Sequence, residues 1–199
     1  MSEKENLEKW MKFLDPDNLK DNLLSASLFI AVFESFKDYV IDEVKFFYNT
    51  GFSGDEYTFD PKYNSDVKTL DKSLIKASLK WLKNNSAIEE SDLLLYDELR
   101  QYRNKLSHEL MTLLFEGLPE ELPVKFNDLI ELRVKIEKWW ILNIEIPTSG
   151  DFNSEDEIGE SDIVTSSQMV NKLIFDMLSG DEKKANFYRD EFKKNFNNK

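Results

Sequence analysis

The chain contains no cysteine. That absence excludes a disulfide scaffold, a thiolate zinc site and a cysteine nucleophile together. Histidine occurs once, so every imidazole-based mechanism converges on His108. Basic residues are also outnumbered, 26 Lys and Arg against 39 Asp and Glu, leaving a formal net charge of −13. A broad phosphate-binding surface needs clustered Lys and Arg, and an acidic chain repels polyanions at long range. Non-specific nucleic-acid binding and adsorption to anionic lipid are therefore not expected, whereas a small basic site on an acidic body is compatible with the charge. No stretch approaches the ~20 apolar residues that a membrane span needs. The longest apolar cluster, Leu28 to Phe36, is broken by Glu34 and Ser35. The opening MSEKENLEKW is polar and acidic, without the basic start and apolar run of a signal peptide. No membrane partner is expected, and the expected setting is cytoplasmic.

What is present is a helical pattern with enough apolar residues for a core. Hydrophobic residues make up 41% of the 199 and aromatic residues 13%, so the chain is not of the disordered class although 33% of it is charged. A first helix is expected over about Glu3 to Leu14, stopping at Asp15-Pro16 because proline disfavours the α conformation in the residue before it. A long helix is expected from about Leu19 to Tyr48. Phe29, Phe33, Phe36, Val40 and Phe47 form one of its stripes, and Leu28, Val32, Tyr39 and Phe46 a second, so it should pack centrally. Asn49 to Asp66, with two glycines and a proline, reads as a loop. A third helix, about Val67 to Lys83, carries Leu70, Leu74, Ala77, Trp81 and Leu82 near one face. A fourth runs from Ser91-Asp92 to Phe115 and ends before Gly117. Pro119 and Pro123 punctuate the next connection, and a fifth helix spans about Asn127 to Leu142.

Ile144 to Ser161 is a second long loop with six acidic residues and no basic one. Two further helices, around Ile163 to Leu178 and Glu182 to Phe196, complete an all-α helical bundle of about six or seven helices. The domain reading is a bundle over residues 1–145, an acidic loop over 146–161, and a C-terminal helical pair over 162–199 packing on the same domain.

Chemistry concentrates in the fourth helix, SDLLLYDELRQYRNKLSHELMTLLFEG. Its core stripe reads as Leu95, Leu99, Tyr102, Leu106, Leu110 and Leu113. Helical residues advance by about 100° each, so a residue two places from that stripe points away from the core. Asn104 and His108 are so placed. With Arg100 they form an i, i+4, i+8 row, which Arg103 flanks with a long reach. Histidine moves protons near neutral pH, and arginine stabilises charge developing on a phosphate. A histidine, an amide and two guanidinium groups on one surface suit RNA phosphodiester chemistry without a metal.

The Arg103-Asn104-x-x-x-His108 arrangement, on a helix of an all-α protein with a long preceding helix, resembles the HEPN superfamily. The resemblance covers roughly the second helix through the fourth. Many members are metal-independent endoribonucleases of prokaryotic defence, toxin–antitoxin or stress systems, in which two motif helices meet across a homodimer. The resemblance therefore implies a homodimer with RNA as substrate, an antitoxin or other defence-system protein as partner, and no metal or other cofactor. It implies attack of a ribose 2′-hydroxyl on the adjacent phosphate, leaving a cyclic phosphate. Arg103 would bind and polarise phosphate, His108 would transfer protons, and Asn104 would position one or the other. Because the chain has only His108, acid and base roles for imidazole would need the two-fold symmetry. An acidic residue of the long helix often faces the motif, which makes Glu34 or Asp38 second-rank participants together with Arg100. One subgroup, silenced by nucleotide addition, carries a tyrosine two places after the histidine; Leu110 stands there in this chain, against that mode of regulation. The segment WWILNIEIPTSGDF lies outside the resemblance and looks like a bacterial lineage feature.

Plainer readings attach to the same residues. The polar row is also ordinary helix electrostatics, with Asp97 to Arg100 and Lys105 to Glu109 at pairing distance. Trp139-Trp140 reads as a core or interface anchor. The acidic run around Glu155-Asp156-Glu157 lacks calcium-loop spacing, and Gly51-x-x-Gly54 follows a helix without the Lys-Ser/Thr of a phosphate loop. The basic residues Lys183, Lys184, Arg189, Lys193 and Lys194 read as a solvated face. Two hypotheses stand: a dimeric HEPN-type ribonuclease, and a non-catalytic helical interaction or nucleotide-binding module using the same polar row.

Overall fold

The computed structural model describes residues 3–150 and 158–178, together with Phe187, Asp190, Lys193 and Lys194. The architecture is an all-α bundle with little strand, and seven α-helices lie among the described residues. They are α1 (Glu3–Phe13), α2 (Pro16–Phe46), α3 (Leu74–Asn84), α4 (Glu90–Glu116), α5 (Leu122–Trp140), α6 (Ile146–Ser149) and α7 (Ser166–Leu178). None of the described helices is long and apolar enough to cross a membrane. The chain divides into two compact units, Met1–Leu132 and Arg133–Lys199, with the division inside α5.

In the first unit, local chemistry sets the helix ends. Asp15 caps α2 by accepting from the backbone N–H groups of Asp17 (3.0 Å) and Asn18 (3.1 Å), and Pro16 occupies the first turn, where no N–H is needed. Glu89 and Asp92 form a reciprocal cap at the start of α4. At its other end Gly117, at φ +103°, takes a backbone conformation that a Cβ would strain while its N–H still reaches Leu113.

The core of this unit lies where α2 meets α3 and α4. Phe29, Phe33, Phe36, Val40 and Val44 are buried from α2, Leu79 and Leu82 from α3, and Tyr96, Leu99 and Leu106 from α4. Phe33 stacks on Tyr96 (5.8 Å between ring centres), and Phe29 meets Tyr102 edge-on at 5.3 Å. Earlier residues of α2 thus face later residues of α4, so the two helices run antiparallel. Their register brings Arg103 of α4 against Glu34 in the middle of α2.

Several sequence expectations require correction. The α4 stripe is rotated: Leu99, Tyr102, Leu106 and Leu113 are buried as expected, but Tyr96 and Leu114 are buried while Leu95 and Leu110 are only half-buried. Stacking of Tyr96 on Phe33 sets that phase. Phe46 and Phe47, placed in the apolar stripes of the long helix, are exposed.

The segment Asn49 to Asp66 is not a loop. It holds an antiparallel hairpin of β1 (Asn49–Ser53) and β2 (Glu56–Phe59), joined by Gly54-Asp55, and the start of a π-helical turn over Asn64–Lys68. Gly54 has φ +66°, the sign that a two-residue hairpin turn requires at its first position. The expected helix from Val67 is broken at Leu70–Ser73, because the Asp71 carboxylate accepts from the Ser73 N–H and Lys80 holds both Asp71 and the Leu70 carbonyl. Pro123 lies in the first turn of α5 rather than in the connection before it.

The second unit is organised around a buried carboxylate. Glu137 accepts from Arg133 Nε at 2.8 Å and from Ser167 Oγ at 2.5 Å. Ser167 also meets Thr165 Oγ1 at 3.1 Å, and Thr165 and Gln168 cap the start of α7 reciprocally. The rings of Trp139 and Trp140 meet edge-on at 5.8 Å, with Trp140 buried. Residues 141–149, expected as helix end and loop, continue as a π-helical turn and the short α6. The acidic run at 155–157 and most of the helix expected from Glu182 to Phe196 lie outside the described residues.

Candidate functional site

The site is built on one turn of α4 facing one turn of α2. Arg103 leaves α4 at the margin of the core rather than on the open surface: its side chain is 27% exposed, and its guanidinium carbon stands 6.0 Å from the centre of the Phe33 ring. One Nη donates to Glu34 Oε1 of α2, and the other donates to Asn104 Oδ1 at 3.0 Å. The guanidinium plane is thus fixed from two sides. Its Nε is buried and has no hydrogen-bond partner among the described residues.

Glu34 is itself shared. Lys37, one turn further along α2, donates to its second oxygen at 2.6 Å. Burial opposes the charged form of Glu34. The hydrogen bond and charge of Lys37, together with the charge of Arg103, outweigh it and hold the carboxyl below its ordinary value. The result is a line of four polar groups, Lys37, Glu34, Arg103 and Asn104, running from one helix to the other.

His108 is exposed and makes no hydrogen bond among the described residues. It stands one helical turn beyond Asn104, about 6 Å along the axis. Arg100, at the other end of the row, is exposed and pairs with Asp97 at 3.5 Å, whose closer cation is Lys76 at 2.7 Å. Asp38 is exposed a turn beyond Glu34 and joins none of these pairs. Structure therefore brings Arg103, Asn104 and Glu34 together, leaves His108 open on the same helix, and leaves Arg100 and Asp38 outside the contact. Of the two surface pairs expected along α4, Asp97–Arg100 forms, whereas Lys105 and Glu109 are both exposed and unpaired among the described residues.

Two participants escaped the sequence reading. Phe33 belongs to a core stripe of the long helix, yet it also forms the floor under the guanidinium. Lys37 was not singled out at all, although its i, i+3 spacing from Glu34 was a legible signal.

Chemically, the arrangement presents an oriented arginine, an amide beside it, and an exposed imidazole one turn further along α4. Two of the five guanidinium N–H donors are engaged by Asn104 and Glu34, so a phosphate oxygen would compete with the Glu34 carboxylate for the group. A cleft of about 650 Å³ exists elsewhere in this unit, lined by Lys9, Lys12, Asn18, Asn22 and the end of α4 from Leu114. None of Arg103, Asn104 or His108 lines it, and no chemistry converges there. Compared with protein-family models, curated proteins and solved structures, the chain matches none. The HEPN resemblance accordingly rests on Arg103, Asn104, His108 and the helical frame that carries them.

Proposed function

We propose that this chain is a HEPN-type protein acting as a metal-independent endoribonuclease, in a prokaryotic defence, toxin–antitoxin or stress response. The observation that carries the reading is the fixed Arg103 guanidinium, held by Glu34 and Asn104, with His108 exposed one turn beyond Asn104 on α4. In the proposed reaction the ribose 2′-oxygen attacks the adjacent phosphorus and the bond to the 5′-oxygen breaks. The products are a 2′,3′-cyclic phosphate and a free 5′-hydroxyl. One imidazole takes the 2′-hydroxyl proton, and a second gives a proton to the leaving oxygen. Since each chain holds one histidine, the reading includes a homodimer that places two copies of His108 at a shared cleft. Arg103 would stabilise the charge developing on the phosphate once the substrate has replaced Glu34. A protein partner that occupies this face would hold the activity in check, and the cytoplasm is the setting the reading requires.

A second reading keeps the same face but without catalysis: a helical module that binds a nucleotide or a protein. It is favoured by the Glu34 carboxylate occupying Arg103 and by the net charge of −13, which weakens attraction for RNA. The separating experiment is cleavage of a mixed RNA pool with EDTA present, comparing the parent protein with His108→Ala. Cleavage by the parent alone supports the ribonuclease. Inactivity of both supports the module, and equal cleavage by both removes His108 from the chemistry.

A further inference from the structure

The hairpin that follows α2 carries an aromatic surface that the proposed reaction does not use. Phe52 and Tyr57 are cross-strand partners with ring centres 4.4 Å apart, and Phe59, two residues along from Tyr57, continues the same face at 6.5 Å. Phe46, from the last turn of α2, meets Tyr57 edge-on at 5.4 Å. These rings touch one another rather than a core: Phe46, Phe52 and Tyr57 are 51%, 68% and 49% exposed. Exposed aromatic residues in such a row are costly to leave in water and mark interaction surfaces.

Charge identifies the occupant. Residues 42–60 hold five carboxylates, Asp42, Glu43, Asp55, Glu56 and Asp60, against one lysine. That lysine, Lys45, lies over the Phe59 ring with its Nζ 4.6 Å from the centre, and Lys68 stands 5.3 Å over Tyr63 nearby. The aromatic faces here already take ammonium groups, while Phe52 and Tyr57 carry none among the described residues. A ring face within an acidic stretch of chain attracts a cation twice, through the ring quadrupole and through the surrounding negative charge. A second copy of the hairpin would set acid against acid. A polyanion or an anionic bilayer meets the same repulsion.

We propose that the Phe46, Phe52, Tyr57 and Phe59 surface docks a protein segment rich in arginine or lysine, whose cationic side chains lie over Phe52 and Tyr57, with Asp55 and Glu56 at the hairpin tip supplying complementary charge. Arginine suits the site better than lysine, since its planar group stacks on a ring while its edge reaches a carboxylate. This surface is separate from Arg103 and His108, and its occupation does not depend on whether the chain cleaves RNA.

The test titrates the full chain with a short alternating Arg-Val peptide and, separately, with an oligouridylate RNA, at low salt. Any acidic protein attracts a polycation, so the variants carry the discrimination. Phe52→Ser/Tyr57→Ser should weaken the peptide by about tenfold, since two exposed cation–π contacts are lost. Asp55→Asn/Glu56→Gln keeps the rings, guards against simple loss of the hairpin fold, and should also weaken it. Leu7→Ser/Met11→Ser, an exposed apolar pair on α1, should leave binding unchanged. Equal peptide affinity in all four proteins, no binding by the parent, or binding of the RNA that depends on Phe52 and Tyr57 would each overturn the proposal.

Discussion

Glu34 and Arg103 should prove energetically coupled, by an amount that follows from where the pair sits. Their side chains are 34% and 27% exposed, so water screens the interaction in part. Fully exposed pairs are worth at most about 1 kcal/mol. Direct charge-assisted contact, the Phe33 ring under the guanidinium and a buried Nε all strengthen this pair. Two neighbours weaken the coupling. Lys37 also holds Glu34 at 2.6 Å and Asn104 also holds Arg103 at 3.0 Å, so removing either charge leaves the survivor with a partner. The balance is a coupling of about 1 kcal/mol near neutral pH.

A double-mutant cycle of Glu34→Gln, Arg103→Gln and the double variant measures it, by urea unfolding followed through helical circular dichroism and tryptophan fluorescence together. The coupling must also titrate. Burial alone would raise the Glu34 carboxyl, but Lys37 and Arg103 hold it below its ordinary value in the folded chain, so the unfolded chain takes up the proton first as pH falls. The stabilisation is therefore fully present above the ordinary carboxylate range and is lost as pH drops through the lower, folded-state value. Coupling indistinguishable from zero near neutral pH, or coupling that persists once Glu34 is protonated, would refute the geometry.

Other expectations concern the frame. Burial pushes the hydroxyls of Tyr96 and Tyr102 up from 10.0 to about 12. Their contribution is complete below pH 10 and disappears between there and about pH 12, so Tyr96→Phe/Tyr102→Phe should flatten the alkaline limb of a stability–pH curve. Tyr102 Oη is buried without a hydrogen-bond partner among the described residues, so Tyr102→Phe alone should leave neutral-pH stability unchanged or raise it by up to about 1 kcal/mol in urea unfolding. Leu106, fully buried on the core side of α4, should cost about 3 kcal/mol as Leu106→Ala, measured the same way. Asp15→Ala removes both acceptor bonds at the start of α2 and should lower the unfolding free energy by about 1 kcal/mol.

Features encoded by neighbours in the chain were legible, and features set by distant partners were not. Asp15-Pro16 and Gly117 mark helix ends with their own side chain, ring or missing Cβ, and both ends fall close to where they were expected. The α4 phase could not be fixed alone, because Leu95 and Tyr96 are both apolar and only stacking on Phe33 and Phe36 chooses Tyr96. The choice between Glu34 and Asp38 depended likewise on the register of α2 against α4. The hairpin is hidden in the sequence for a different reason: its strands are five and four residues long, too short for alternation to stand out among turn formers. A signal was nonetheless present, a Gly-Asp pair flanked by Phe52 and by Tyr57 and Phe59. The break at Leu70–Ser73 arises from Lys80 reaching back to Asp71, a contact no local pattern displays.

The ribonuclease reading stands or falls on whether the ribose 2′-hydroxyl is the nucleophile activated beside Arg103 and His108. The direct measurement compares an RNA the protein cleaves with the same strand carrying a single 2′-deoxy nucleotide at the cut site, with EDTA present and the product ends identified. The expected outcome is cleavage of the first strand to a 2′,3′-cyclic phosphate and a 5′-hydroxyl, and no cleavage at that position in the second. Equal cleavage of both strands, or products ending in a 5′-phosphate, would contradict it.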